Sequence, residues 1–201
     1  MRFIIKRGEP ESFKVWKALE NKDWQPSYSK LSNPEKRDVY DALLKEQGGI
    51  CCYCERELKG KDYHLEHLNP QAAHDGDDLD FNNFLCSCLN KTAKGDPLHC
   101  GQEKGDEILP VHPHQANCQE RFVFTANGKI NGVDEAAKQA INILALDLGK
   151  LNDHREKVLE PFMDPDLSDQ ELKEFVQKYI DDKGNLSPFL SAVKCVFNDY
   201  I

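Results

Sequence analysis

Ile50-Cys51-Cys52-Tyr53-Cys54 opens and His99-Cys100-Gly101 closes the stretch whose reading decides this chain. Between them run Tyr63-His64-Leu65-Glu66-His67-Leu68-Asn69-Pro70 and Asn82-Asn83-Phe84-Leu85-Cys86-Ser87-Cys88. Two residues between Cys51 and Cys54 allow the tight turn that brings both sulfurs to one side of a tetrahedral Zn²⁺. The second arm of such a site has to come from Cys86, Cys88 and Cys100. Adjacent thiols rarely reach one ion, so Cys52 is read as a bystander. Cys118 and Cys195 lie outside the cluster and are read as packing residues.

A structural zinc would pin the intervening segment at both ends, and that segment carries an acid–histidine pair. Glu66 offers a hard oxygen suited to Mg²⁺ or Mn²⁺. His67 titrates near neutrality and can take a proton from water, as a hydrolytic general base must. Strand alternation puts Tyr63, Leu65 and His67 on one face and Glu66 on the other, unless a bulge intervenes. His64 is read as a surface residue or a zinc ligand. The asparagine on the far strand is expected to hold the His67 ring through its second nitrogen and so fix the tautomer.

Composition sets the wider bounds. The 201 residues, 39% hydrophobic and 30% charged, describe a globular chain with a real core. The opening Met1–Arg7 is too short and too quickly charged for a signal peptide, and no apolar run reaches membrane-spanning length. A cytoplasmic protein without a membrane partner is expected, and eight cysteines in a reducing compartment favour metal binding over disulfides. The net charge of −9, with six Lys and Arg against eleven Asp and Glu between residues 51 and 106, predicts weak binding to a polyanion by the chain alone. Lys91, Lys94 and Lys104 gather after the cysteines, and a partner that grips the polymer would offset the deficit.

Residues 1–49 read as a strand at Phe3–Lys6 followed by helices: one opening at Pro10-Glu11-Ser12, another at Ser32-Asn33-Pro34-Glu35 with Pro at its first position. Gly48-Gly49 stops the second. Residues 50–106 are loop-rich and read as held by chemistry more than by apolar burial, with Asp75-Gly76-Asp77-Asp78 as a solvated turn. Residues 107–132 form a connector with a strand at Arg121–Thr125 and a turn at Asn127-Gly128. Residues 133–201 are helical: one helix through Ala136–Leu148, one through Leu151–Leu159, one behind the Ser168-Asp169-Gln170-Glu171 capping box, and one over Leu186–Ile201. Phe175, Tyr179, Phe189 and Phe197 build either a helical core or a docking face. No Walker A loop is present, so ATP chemistry would lie elsewhere.

The ordered elements resemble the HNH endonucleases, whose ββα-metal finger reads Cys-x-x-Cys, acid-His with a nearby Pro, Asn-Leu-x-x-x-Cys, and Cys-x-x-x-Lys-Gly. Here these are Cys51–Cys54, Glu66-His67 with Pro70, Asn83 to Cys88, and Cys100 to Lys104-Gly105. The asparagine-to-cysteine spacing of that motif selects Cys88 over Cys86, giving Cys51, Cys54, Cys88 and Cys100 as zinc ligands. It implies Glu66, His67 and Asn83 as catalytic residues, with Glu66 on a catalytic Mg²⁺ or Mn²⁺. Most of residues 1–160 is further similar to the PtuB nucleases of Septu-type and retron-associated anti-phage systems. That similarity rests on Met1-Arg2-x-Ile4-x-Lys6, His99-Cys100-Gly101, Phe122-x-Phe124 and Ala140-Ile141-x-x-Leu144.

The resemblance implies an α+β, mainly helical fold with a zinc-stapled finger between N-terminal helices and a C-terminal helical bundle. It also implies a DNA or RNA substrate and an ABC/SMC-type, PtuA-like ATPase partner. Two features depart from the pattern. Gly101 stands where the family places a His or Asn metal ligand, and eleven residues, Leu89 to His99, separate Cys88 from Cys100. Asn90 or His99 would then supply the missing ligand of the catalytic cation. The alternative is a non-catalytic zinc-knuckle scaffold or binding module.

Overall fold

The computed structural model describes residues 1–71, 78–89, 95–181 and 185–201. Helix α1 (Glu11–Lys17) follows Pro10 and buries Phe13 and Trp16, three residues apart on one face. Helix α2 (Glu35–Gln47) follows Pro34, which serves as its N-cap, and ends where Gly48 adopts φ 64°. Its last residue reaches across to the finger. The Gln47 carboxamide donates to the Ile50 and Cys86 carbonyls at 2.9 Å each and accepts from the Cys86 N–H at 2.7 Å.

Strands β1 (Tyr63–His67) and β2 (Phe84–Cys88) pair antiparallel, Tyr63 opposite Cys88 and His67 opposite Phe84, with an unbroken register. The one-turn helix α3 (Gly101–Lys104) completes a ββα order. Strands β3 (Phe122–Phe124) and β4 (Ile130–Gly132) form a hairpin whose turn contains Gly128 at φ 74°. The C-terminal region holds α4 (Glu135–Ile143), α5 (Gly149–Leu159), α6 (Asp169–Ile180) and α7 (Leu190–Val196). Asp134 caps α4, and the Ser168–Glu171 capping box opens α6 as its sequence requires.

Three expected elements differ. The helix expected through Ala136–Leu148 ends at Ile143, because Ala145 takes φ 46° and turns the chain out of the helix. Residues 3–6 form no strand: the segment makes a long-range backbone bond from the Ile4 N–H to the Pro113 carbonyl (2.8 Å), too little for a ladder, while Met1 and Ile4 anchor it in the core. The last helix starts at Leu190, not Leu186, because Phe189 takes φ 52° and donates its N–H to the Glu55 carbonyl (2.9 Å).

The finger is not a polar loop held by metal alone. All five residues of β2 are buried. One face of the β1–β2 pair shares a core with α1 and α2 through Phe13, Val39, Leu43, Leu65, Phe84 and Cys86. The cysteines Cys51, Cys54, Cys88 and Cys100 belong to a second core with Leu85, Phe122, Ile130, Ala140 and Leu151. A third core gathers the C-terminal aromatics. Phe162 stacks on Phe175 at 4.3 Å and lies 5.3 Å from both Tyr179 and Phe197, and Phe189 is buried. These side chains therefore make a helical core, with Phe175 at its exposed edge. Among the described residues no helix is long and apolar enough to cross a membrane. Asp75, Gly76 and Asp77 of the expected turn lie outside the described residues.

Candidate functional site

The Cys51–Cys54 turn is built by the backbone. The Glu55 N–H donates to the Cys51 carbonyl (3.1 Å), the Cys51 N–H to the Arg56 carbonyl (2.9 Å), and Glu55 takes φ 65° to close it. Cys88 arrives at the end of β2 and Cys100 at the start of α3, where its N–H bonds the Leu144 carbonyl at 2.8 Å. The four sulfurs lie within 4.8 Å of one another, all buried. Cys54 and Cys88 are 3.8 Å apart, matching the edge of about 3.8 Å in a tetrahedron whose metal–sulfur bonds are about 2.3 Å.

The electrostatics agree with a cation site. Burial raises the Cys51 thiol, but hydrogen bonds from Cys100, Cys52, Cys54 and Cys88 more than offset it and hold Cys51 well below the ordinary thiol range. A Zn²⁺ would bind these sulfurs as thiolates and displace their protons. The donor set fits a structural zinc held by Cys51, Cys54, Cys88 and Cys100. Cys52 and Cys86 are not among the four converging sulfurs, although Cys52 touches Cys51, and burial raises both thiols. Burial pushes Cys118 up to about 11, and Cys195 accepts the Phe124 N–H at 3.3 Å.

On the face of β1 turned toward α3, His64 and Glu66 stand side by side. Tyr53 O–H donates to Glu66 Oε1 at 3.0 Å, and Lys104 Nζ pairs with the same oxygen at 3.1 Å. Oε2 faces His64 Nε2 at 3.3 Å. Glu66 and Lys104 are 6% and 2% exposed, so this is an ion pair removed from water. Lys104 also donates to the carbonyls of His67 (3.1 Å) and Gly105 (3.2 Å), tying α3 to the end of β1.

His67 lies on the opposite face, as alternation requires in a strand without a bulge. Its ring meets Tyr28 and Phe84 edge-on at 4.8 and 5.0 Å. Nε2 is 3.1 Å from the Asp78 carbonyl, which can only accept, so Nε2 carries the hydrogen and Nδ1 the lone pair. Burial lowers its pKa, with the Asp78 hydrogen bond opposing, which keeps the ring a neutral base at neutral pH.

Asn83 does not hold the His67 ring. Its Oδ1 accepts the Asn69 N–H (2.8 Å) and its Nδ2 donates to the Asn69 carbonyl (2.9 Å). The buried carboxamide satisfies both backbone groups of the residue two beyond His67, so it fixes the path of the chain leaving β1. His99 packs Nδ1 against the sulfurs of Cys100 (3.2 Å) and Cys88 (3.6 Å), and burial lowers its pKa to about 4. Asn90 lies outside the described residues. Sequence reading passed over Tyr53, took His64 for a surface residue or zinc ligand, and placed Lys104 only among the lysines after the cysteines and in the finger motif. The signal for His64 was available, since two residues along a strand return to the same face as Glu66.

No family model matches the chain. The chain is similar to a protein of Vibrio cholerae serotype O1 biovar El Tor named "Retron Vc95 putative HNH endonuclease", at 27% identity over 135 residues. The alignment covers 62% of this chain and 65% of the length of that curated relative.

Proposed function

We propose that this chain is a metal-dependent HNH endonuclease that hydrolyses phosphodiester bonds in DNA or RNA. The observation that carries the reading is the ββα arrangement of β1, β2 and α3 beside four converging cysteine sulfurs, with Glu66 and His67 adjacent at the end of β1. The name of the Vibrio relative supports it.

In this reading His67 Nδ1 takes a proton from a water whose oxygen attacks phosphorus as the bond to the leaving oxygen breaks. Glu66 would hold Mg²⁺ or Mn²⁺, which when bound would supply charge stabilisation at the scissile phosphate and the leaving oxygen. Asn83 keeps the chain beyond His67 in place. The cysteine centre sets α3 against β1 and so aligns Lys104 with the strand end.

We further infer that the chain works in the cytosol as the effector subunit of an anti-phage complex with an ABC/SMC-type, PtuA-like ATPase. The net charge of −9 supports it, because a chain this acidic holds a phosphate backbone weakly without a partner. A cleft of about 570 Å³ at the start of β1 is lined by Lys36, Arg37, Tyr40, Asp41, Lys61 and Tyr63.

The test is cleavage of DNA and RNA by the co-purified complex with Mg²⁺ or Mn²⁺, comparing wild type with His67→Ala. Loss of a general base is expected to lower the rate by about a hundredfold or more. Undiminished cleavage by His67→Ala sinks the assignment. Intact zinc with no cleavage of any nucleic acid by the wild type favours the scaffold reading.

A further inference from the structure

We propose that His64 and Glu66 together hold the divalent cation, and that Gly101 is what leaves room for it. The inference deepens the endonuclease reading and rests on it for its purpose; the geometry stands separately.

The two oxygens of Glu66 are differently engaged. Oε1 receives the Tyr53 hydroxyl and the Lys104 ammonium, which fix the carboxylate plane. Among the described residues Oε2 has a single partner, His64 Nε2, at 3.3 Å. Two ligand atoms about 2.1 Å from one cation and at right angles stand about 3.0 Å apart, so this pair is spaced to share an ion after a small adjustment. His64 and Glu66 sit at i and i+2 of a regular strand, which is why both point toward α3.

Gly101 explains why the pair can exist. A Cβ at this position would overlap Glu66 Oε2 and lie 2.7 Å from His64 Nε2. The Gly101 N–H is meanwhile anchored on the Ser87 hydroxyl at 3.0 Å, so the backbone cannot retreat. Any side chain at 101 would therefore occupy the corner that His64 and Glu66 now share. The imidazole from β1 replaces the ligand that a side chain on α3 would otherwise bring.

The second nitrogen of His64 is also provided for. The Gln102 side-chain amide lies 3.5 Å from Nδ1, and a half-turn of that amide presents its oxygen. Gln102 then accepts Nδ1–H, which leaves the Nε2 lone pair for the metal. His99 is engaged with sulfur and does not compete. An imidazole beside a carboxylate favours Mn²⁺, Co²⁺ or Ni²⁺ over Mg²⁺ and Ca²⁺.

Manganese itself is the probe. Full-length, zinc-loaded protein is titrated with Mn²⁺ and followed by electron paramagnetic resonance, with spin-echo detection of nitrogen coupled to the ion. The wild type is expected to bind Mn²⁺ with nitrogen modulation. His64→Ala should lose the modulation and bind about tenfold more weakly or worse, with zinc content unchanged. Gly101→Ala should weaken Mn²⁺ binding similarly, and His67→Ala should keep both ion and modulation. Modulation that persists in His64→Ala, or a wild type that binds no Mn²⁺, overturns the site. His67-dependent cleavage with modulation persisting in His64→Ala keeps the endonuclease and discards this assignment. Mn²⁺ held through His64 by a wild-type complex that cleaves nothing does the reverse.

Discussion

Lys104→Met separates what the buried ion pair does for the fold from what it does for the site. The Lys104 ammonium stands 3.1 Å from Glu66 Oε1, with side-chain exposures of 1% and 7%. It also satisfies two carbonyls, those of His67 and Gly105. Removing one partner of a buried pair leaves the other charge without compensation, at about 3–5 kcal/mol. Glu66 retains the Tyr53 hydroxyl and His64, which places the expected loss near the lower limit, about 3 kcal/mol. In a chain of this size that lowers Tm by about 6–12 °C. Glu66→Gln should also destabilise, by stranding the ammonium.

The double variant Glu66→Gln/Lys104→Met carries no buried charge here. It should be more stable than the sum of the single losses predicts, by about 1–3 kcal/mol. Urea unfolding of the zinc-loaded protein, followed by far-ultraviolet circular dichroism, measures all four corners of the cycle. A Lys104→Met loss below about 0.5 kcal/mol, or strict additivity in the double variant, would refute the claim that these charges compensate each other.

Three further outcomes follow from the same contacts. Cys88→Ser should lose zinc and Cys86→Ser keep it, measured as metal per chain, because only Cys88 stands with Cys51, Cys54 and Cys100. Gly128→Ala should cost about 2 kcal/mol or more in a denaturant titration, since φ is 74° and a Cβ would meet the Asn152 carbonyl and lie 2.8 Å from the Glu156 nitrogen. Burial holds the folded-state pKa of His114 at about 4, below its unfolded value near 6.5, and its buried Nε2 has no hydrogen-bond partner among the described residues. The unfolded chain therefore binds the proton first, and stability falls as pH drops from about 6.5 toward 4. His114→Gln should flatten that slope in unfolding midpoints taken across this range, and an unchanged slope would assign it to other groups.

Much of this protein is legible along the chain because its chemistry is local. Cys51 and Cys54 sit in one turn, the Ser168–Glu171 box caps its own helix, and Gly48 ends α2 by its own backbone conformation. Alternation along five residues sufficed to put His67 and Glu66 on opposite faces. The roles that eluded sequence reading belong to contacts between distant segments. Asn83 looked like a partner for an imidazole, yet in the fold its nearest unsatisfied groups are the backbone N–H and C=O of Asn69, fourteen residues away. The Phe3–Lys6 segment has strand-forming residues but no neighbouring strand to bond, and a ladder needs two.

The corner at Gly101 shows the division most plainly. The sequence by itself determined that a side chain is missing there. Only the tertiary structure decided that the space belongs to His64 and Glu66, because the antiparallel register, the Ser87 anchor and the one-turn helix bring residues 64, 66 and 101 together. Backbone conformation is governed by neighbours in sequence; occupancy of a volume is governed by whatever the fold packs beside it.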